Sequence, residues 1–396
     1  MKLIEERRDT PRPRILVLSF SPISRDPRVL RQIRLFREFA DVVSCGYGET
    51  PEGVIEHIEV PASFKSWRVS YKKVASLLAA RLHSRLYFHS QRVRFVRDHI
   101  APGSIDVVVA NDAIAVPLAL ALRPRKGVHA DLHEYAPKQG EDDRRWRLLV
   151  GPLMDWACRN YVTKADSVST VSKGIAEEYA SAYGIPEPSV VPNASAYVDG
   201  IKPTPVESPL RLVHTGAAGR VRRIEVMIDA VRLANEMHPG TATLDLVLVP
   251  GEQRYIDELT SKAATVPDGA IRMRTAVPFN QIVPMLQEYD VGFYLCPPSN
   301  FNMEHALPNK LFEFIQARLA IVIGPSPEMA RVTNEYKLGK VADAFDAESA
   351  ARVLVDLTAE EVAVMKKNAD AAAFDLSAEK VTGPWIDAVK TLAAID

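Results

Sequence analysis

An α/β chain of two Rossmann-like domains facing one cleft is what this sequence predicts, on three observations. Short apolar runs bounded by turn residues recur along the chain, each followed by a loop and an amphipathic stretch. That is the rhythm of parallel βαβ units. The rhythm occurs in both halves of the chain, as twin domains would require. At 396 residues the length exceeds one ordinary domain and fits two of about 150–200 residues each.

Taken in order, Arg14 opens ILVLSFSP, a buried first strand. SPISRDPRVLRQIRLF then leads into a helix with Val29, Ile33 and Phe36 on one side and arginines on the other. No GxGxxG follows the strand, so a standard dinucleotide fingerprint is not supported. Further strands are expected at 41–48 and 105–112, with a helix over 113–122. HADLHEYAP, at 129–137, reads as a strand end with a polar loop. A single helix over 146–165 precedes SVSTVSKGIAEEYASAYGI, in which Ser172 is placed as a helix cap. The expected boundaries are 1–195 for the first domain, 196–209 for the linker and 210–375 for the second domain. The segment 376–396 is expected as a last helix, containing Trp385, that packs back on the first domain.

In the second domain RLVHTG is a strand, and GAAGRVRRIEVMIDAVRLA a glycine-rich loop entering a helix. Gly216 allows an anion to approach closely, helix amides point at it, and Arg220, Arg222 and Arg223 supply charge. Helices are expected at 255–264 and 282–289. The run 290–296 (DVGFYLC) is then a buried strand, followed by a polar loop ending at Pro308 and Asn309. An amphipathic helix sets in at Lys310, and 320–323 closes a βαβ unit. Glu313 falls in the first helical turn, where a carboxylate near an amide-bound phosphate would hold a nucleotide's ribose hydroxyls.

Composition excludes several classes. A net charge of −1 gives no global attraction to nucleic acid. Cys45, Cys158 and Cys296 are odd in number and far apart, without metal-ligand spacing or a disulfide framework. The N-terminal MKLIEERRDTPRPR lacks the apolar core of a signal peptide, and the run 106–122 is broken by Asn111, Asp112 and Pro117. A cytoplasmic protein is expected. Between Val60 and Arg97 there is no acidic residue, while Lys65, Arg68, Lys72, Lys73, Arg81, Arg85, Arg92, Arg94 and Arg97 alternate with aromatics and leucines. Such a segment suits the surface of an anionic membrane, so 65–97 is expected to dock there peripherally. No nucleic-acid recognition motif accompanies the charge.

LPNKLFEFIQARLAIVIGPSPEMARV resembles the donor-binding segment of the GT-B glycosyltransferases of family four. SxxxRDPRVxRQ, the segment at 129–137, Ser-Lys-Gly with Val-Val-Pro-Asn, and the loop after RLVHTG resemble further segments of that family. The resemblance implies the GT-B fold. It also implies that Asn309, Lys310, Glu313, Glu328 and His305 contact a nucleotide-sugar donor, Glu313 at the ribose. His305 stands where the family carries a glutamate that touches the donor sugar. Gly216, Arg220, Arg222 and Arg223 would grip the donor diphosphate, and Arg25 and Arg28, on the acceptor side, would approach donor phosphate or acceptor. His133 would act near the acceptor and the reacting carbon, donating to a sugar hydroxyl, with Glu134 orienting it or the acceptor. The implied reaction moves a sugar from a UDP- or GDP-linked donor to a hydroxyl of a lipid-linked or glycan acceptor, in cell-surface glycan or glycolipid synthesis. It would proceed with retention and without a bound cofactor or metal, since no Asp-x-Asp occurs. The alternatives are a nucleotide-sugar epimerase on the same fold and a non-catalytic binding protein.

Overall fold

The computed structural model describes residues 12–64 and 71–395. The chain divides into two compact units. The first runs to Val191 and takes in the segment from Gly383 onward; the second spans Pro192–Thr382.

In the first unit seven strands form one parallel sheet. They are β1 (Arg14–Pro22), β2 (Asp41–Tyr47), β3 (Glu56–Glu59), β4 (Val107–Asn111), β5 (Gly127–Leu132), β6 (Ser167–Thr170) and β7 (Ser189–Val190). Their spatial order is β3-β2-β1-β4-β5-β6-β7. All of β4 and most of β1 are buried, as expected of Val- and Ile-rich strands covered on both faces. The helix Gly383–Ala393 contributes Trp385, Val389 and Ala393 to the core formed by Ile15, Val17, Val107, Val109, Ile33 and Phe36.

The second unit holds β8 (Leu210–Ala217), β9 (Ala242–Val249), β10 (Ile271–Thr275), β11 (Val291–Tyr294), β12 (Ala320–Ile323) and β13 (Gly339–Val341). Their parallel order is β10-β9-β8-β11-β12-β13. The strand order therefore reverses between β8 and β11, and in the first sheet between β1 and β4. In open α/β sheets ligands bind outside the carboxyl ends of strands at such a switch point. The helix Asn309–Gln316, between β11 and β12, buries Leu311, Phe312, Phe314 and Ile315 against Val213, Ile321 and Ile323. It lies so near β11 that a β-carbon at Gly292 would strike the Phe314 ring.

Several boundaries differ from expectation. The segment expected as a linker lies within the second unit, because its polar backbone is hydrogen-bonded there. Val198 N–H donates to Gln316 Oε1 (3.1 Å), the Arg318 guanidinium donates to Val198 O (3.1 Å), and Tyr197 N–H donates to Glu379 (2.8 Å). The return to the first unit begins at Gly383, later than 376, since Ala378 N–H is held by Ser195 O (2.8 Å) in the second unit. The helix expected over 146–165 is two helices, Arg144–Leu149 and Gly151–Asn160, with Pro152 starting the second. The helix expected over 113–122 is confined to Val116–Ala121. Those at 255–264 and 282–289 are Gln253–Ala263 and Ile282–Leu286. Ser172 occupies the N-cap position of Lys173–Tyr183 but makes no capping hydrogen bond.

Candidate functional site

The switch point of the second unit carries a compact set of polar groups around Lys310. Lys310 sits in the first turn of Asn309–Gln316, a helix whose N-cap, Pro308, offers no side-chain cap. Its ammonium rests 5.6 Å from the Tyr294 ring centroid, at the end of β11. Burial and the nearby Arg222 charge both push the Lys310 pKa down from the usual lysine value. The Arg222 charge also reaches the Tyr294 hydroxyl, opposing the upward push that burial gives its pKa. Among the described residues neither cation has a carboxylate within ion-pair distance. Two cations are thus held close together with no anion of their own, which is the electrostatic form of an anion site.

Glu313, one turn on, is 7% exposed, and burial raises its carboxyl pKa against the opposing pull of Lys310. A cavity of about 190 Å³ opens beside these groups. Gly216, Thr215, Asn309, Lys310 and Glu313 line its polar side, with Val249, Val277 and Ile282 among its apolar lining. Thr215 Oγ1 is buried there without a partner. Beneath the site His214 donates through Nδ1 to Phe293 O (3.1 Å), leaving Nε2 unprotonated and unpartnered. Burial, with Lys310 next, pushes the His214 pKa down to about 3, so the ring is neutral.

The other expected donor residues are placed less uniformly. Arg220 is committed to Glu252 and Glu258, at 3.2 and 2.7 Å, on the exposed face of the same unit. Of the three arginines the one beside Lys310 is therefore Arg222. Arg223 is exposed, at φ 48°. Glu328 is buried in the first turn of Pro327–Glu335 and bound by Arg331 (3.0 Å). His305 lies against the Phe301 ring, 4.5 Å between centroids, with a buried and unpartnered Nδ1.

In the first unit the carboxyl ends of β4 and β5 carry a second polar set, built around Asp131. This carboxylate is fully buried and receives a fork from Arg28, at 2.6 and 2.8 Å. Gln32 (2.8 Å), Ser169 (2.7 Å) and the Trp385 indole (3.2 Å) donate to it as well. Arg28 is thereby fixed in the interior. It stacks on Trp385 at 4.5 Å and donates to Val191 O, so it does not face an acceptor. Its helical periodicity marked it only as polar; its partner lies 103 residues away. Arg25 is exposed at the end of the turn Ile23–Arg25.

His133 Nε2 reaches Asn111 Oδ1 (3.1 Å) and Asp131 Oδ2 (3.3 Å), while Nδ1 faces Asp112 Oδ1 (3.6 Å). Burial favours the neutral ring, but the Asp112 charge and the Asp131 hydrogen bond and charge outweigh it and raise the His133 pKa. A ring flanked by acceptors on both nitrogens is a hydrogen-bond donor. It is not a resting base. Glu134 is half-buried, its carboxyl pKa raised by burial and by the Asp112 charge.

Comparison with known proteins adds a family likeness over part of the chain. Residues 40–194 match the model described as Glycosyltransferase Family 4. An α,α-trehalose 6-phosphate synthase from Burkholderia multivorans superposes with TM-score 0.67 at 11% identity, covering 97% of this chain and 99% of that one. A glycosyltransferase from Rickettsia africae gives 0.68 at 12%, covering 96% and 99%. HepE of Anabaena, in complex with UDP, gives 0.64 at 12%, again covering 96% and 99%. The fold is GT-B. No curated protein matches the chain by sequence. In this GT-B chain the matched segment covers most of the first sheet, including Asp131 and His133, while the Lys310 site lies outside it.

Proposed function

We propose that the protein transfers a sugar from a nucleoside-diphosphate donor to an acceptor hydroxyl. The carrying observation is the Arg222–Lys310 pair: two cations with no carboxylate in ion-pair contact among the described residues, beside the buried Glu313 and a cavity. A departing diphosphate develops charge that preorganised cations stabilise. The buried Glu313 carboxylate suits a vicinal diol such as a ribose. The fold neighbours support a uridine nucleotide, since HepE was solved with UDP and also with UDP and glucose. Retention of configuration and metal independence belong to the same proposal. His133, a donor rather than a base, suits contact with a sugar hydroxyl.

The acceptor is proposed to be lipid-linked or a glycan, met at an anionic membrane in cell-surface glycan or glycolipid synthesis. No described helix is long and apolar enough to cross a membrane, so the association would be peripheral. The basic segment is thinner than its sequence suggests. Lys65 and Arg68 lie outside the described residues, as do the side chains of Lys72 and Lys73. Arg92 is buried over the Phe20 ring at 4.2 Å. Arg81, Arg85, Arg94 and Arg97 are exposed, and Leu82 is 46% exposed beside them. Tyr87 is spent on the core, its hydroxyl on Ile114 O (2.6 Å).

The test is a calorimetric screen of UDP- and GDP-sugars on the folded protein, followed by product analysis with labelled donor. Binding and transfer by the native chain, lost in Arg222→Ala with Lys310→Ala, are expected. Binding with release of an isomerised free nucleotide sugar would point to an epimerase. Binding without turnover would point to the non-catalytic reading that His305 invites.

A further inference from the structure

The Asp131 set is more elaborate than an ion pair requires. Arg28 alone would satisfy the charge, yet Gln32, Ser169 and Trp385 also donate to this one carboxylate. Each donor is itself held. Ser169 Oγ accepts from Trp385 Nε1 (3.1 Å) and contacts His129 Nε2 (3.0 Å). Gln32 Oε1 accepts from Asn111 Nδ2 (2.9 Å), and Asn111 Oδ1 meets His133 Nε2. The one edge of the network that is open to solvent is the His133 ring, whose side chain is 21% exposed. A buried carboxylate saturated with donors has little rotational freedom, and it transmits that rigidity to whatever it touches.

We propose that Asp131 is a positioning residue that fixes the His133 ring as a hydrogen-bond donor, and that Trp385 of the helix Gly383–Ala393 holds Asp131 in place. The last helix of the chain is thereby part of the site's support, through a contact spanning 254 residues of sequence. Only the kinetic part of the consequence rests on the transferase reading. The groups that face His133 are Asp131 on β5, Asp112 after β4, Arg28 on the helix Pro27–Phe36 (α1) and Glu134 on its own loop.

The experiment is an NMR titration of the histidine side chains in full-length protein, with and without Asp131→Asn. His133 is expected to release its proton at lower pH in the variant. Asp131→Asn leaves Arg28 buried without its carboxylate and can fail to fold. The paired change Arg28→Met with Asp131→Asn removes both charges together. There too the His133 value should fall, because the variant removes a carboxylate 3.3 Å from the ring, whereas the cation it removes is bound to Asp131 and Val191 O. An unmoved titration in a folded variant overturns the proposal and leaves Asp131 as the counterion of Arg28. Trp385→Phe keeps a ring under Arg28 but removes the indole N–H. It should lower kcat on the order of tenfold, the equivalent of ~1.4 kcal/mol, with KM for the nucleotide sugar unchanged. Unchanged kcat removes Trp385 from the support. If no sugar is transferred at all, the NMR arm still decides the role of Asp131.

Discussion

The Lys310 ammonium occupies the space that a β-carbon at position 216 would fill, with an Nζ-to-Cβ separation of only 2.5 Å. Gly216 has φ +134°, a backbone shape that side chains rarely adopt. One glycine near the end of β8 thus adopts a backbone shape that side chains disfavour and also makes room for the cation of a helix 94 positions further on, counted from 216 to 310.

Gly216→Ala should therefore damage nucleotide binding without touching a charged residue. The methyl displaces Lys310 and strains the backbone near the end of β8. Calorimetry should show weaker nucleotide binding in a variant whose circular dichroism is native. Native affinity would mean that Lys310 does not need this seat.

Arg222→Ala and Lys310→Ala should each weaken nucleotide-sugar binding by about 1.5–3 kcal/mol, the range for hydrogen bonds to charged groups. Arg220→Ala should change it little, because that guanidinium is committed to Glu252 and Glu258. Equal losses for Arg220 and Arg222 would contradict the assignment.

The pH dependence of donor binding should have two limbs. On the proposed reading Glu313 accepts from ribose hydroxyls as an ionised carboxylate, and burial raises its folded pKa above the ordinary 4.5. Affinity should fall as the pH is lowered through that raised value, and Glu313→Gln should show no such limb. Lys310 is depressed below 10.5, so kcat/KM should decline as the pH rises through a value under the ordinary lysine range. The decline should vanish in Lys310→Gln. A flat profile for the native protein would speak against both roles.

Arg28→Ala should destabilise the first unit by about 3–5 kcal/mol, because it strands a fully buried carboxylate. Denaturant unfolding measures this. A loss of transfer rate with unchanged stability would instead restore Arg28 to the acceptor side.

Replacing Arg81, Arg85, Arg94 and Arg97 together with glutamate should abolish pelleting with anionic vesicles, at about 1 kcal/mol of attraction per basic residue. The native protein should release those vesicles as salt rises toward 1 M, where screening falls to about 3 Å. Equal pelleting with neutral vesicles, or none with either, removes the docking surface and favours a soluble acceptor.

By itself the sequence determined the alternation of strands and helices, the two-unit division and the loops that bear polar residues. These depend on apolar period, turn residues and chain order, which are local properties. It also marked Gly216, Lys310 and Glu313, because a glycine-rich turn and a residue in a first helical turn carry their geometry with them. What only the tertiary structure decided is where each charge finds its partner. Arg220 and Arg222 are two residues apart and alike in the sequence, yet one is committed to glutamates of the helix Gln253–Ala263 and its N-cap, while the other is set beside Lys310. Arg28 looked like a surface arginine until Asp131 arrived from β5 and Trp385 from the last helix. Electrostatic partnership acts over a few ångströms of space and is indifferent to separation along the chain, so no local pattern can encode it.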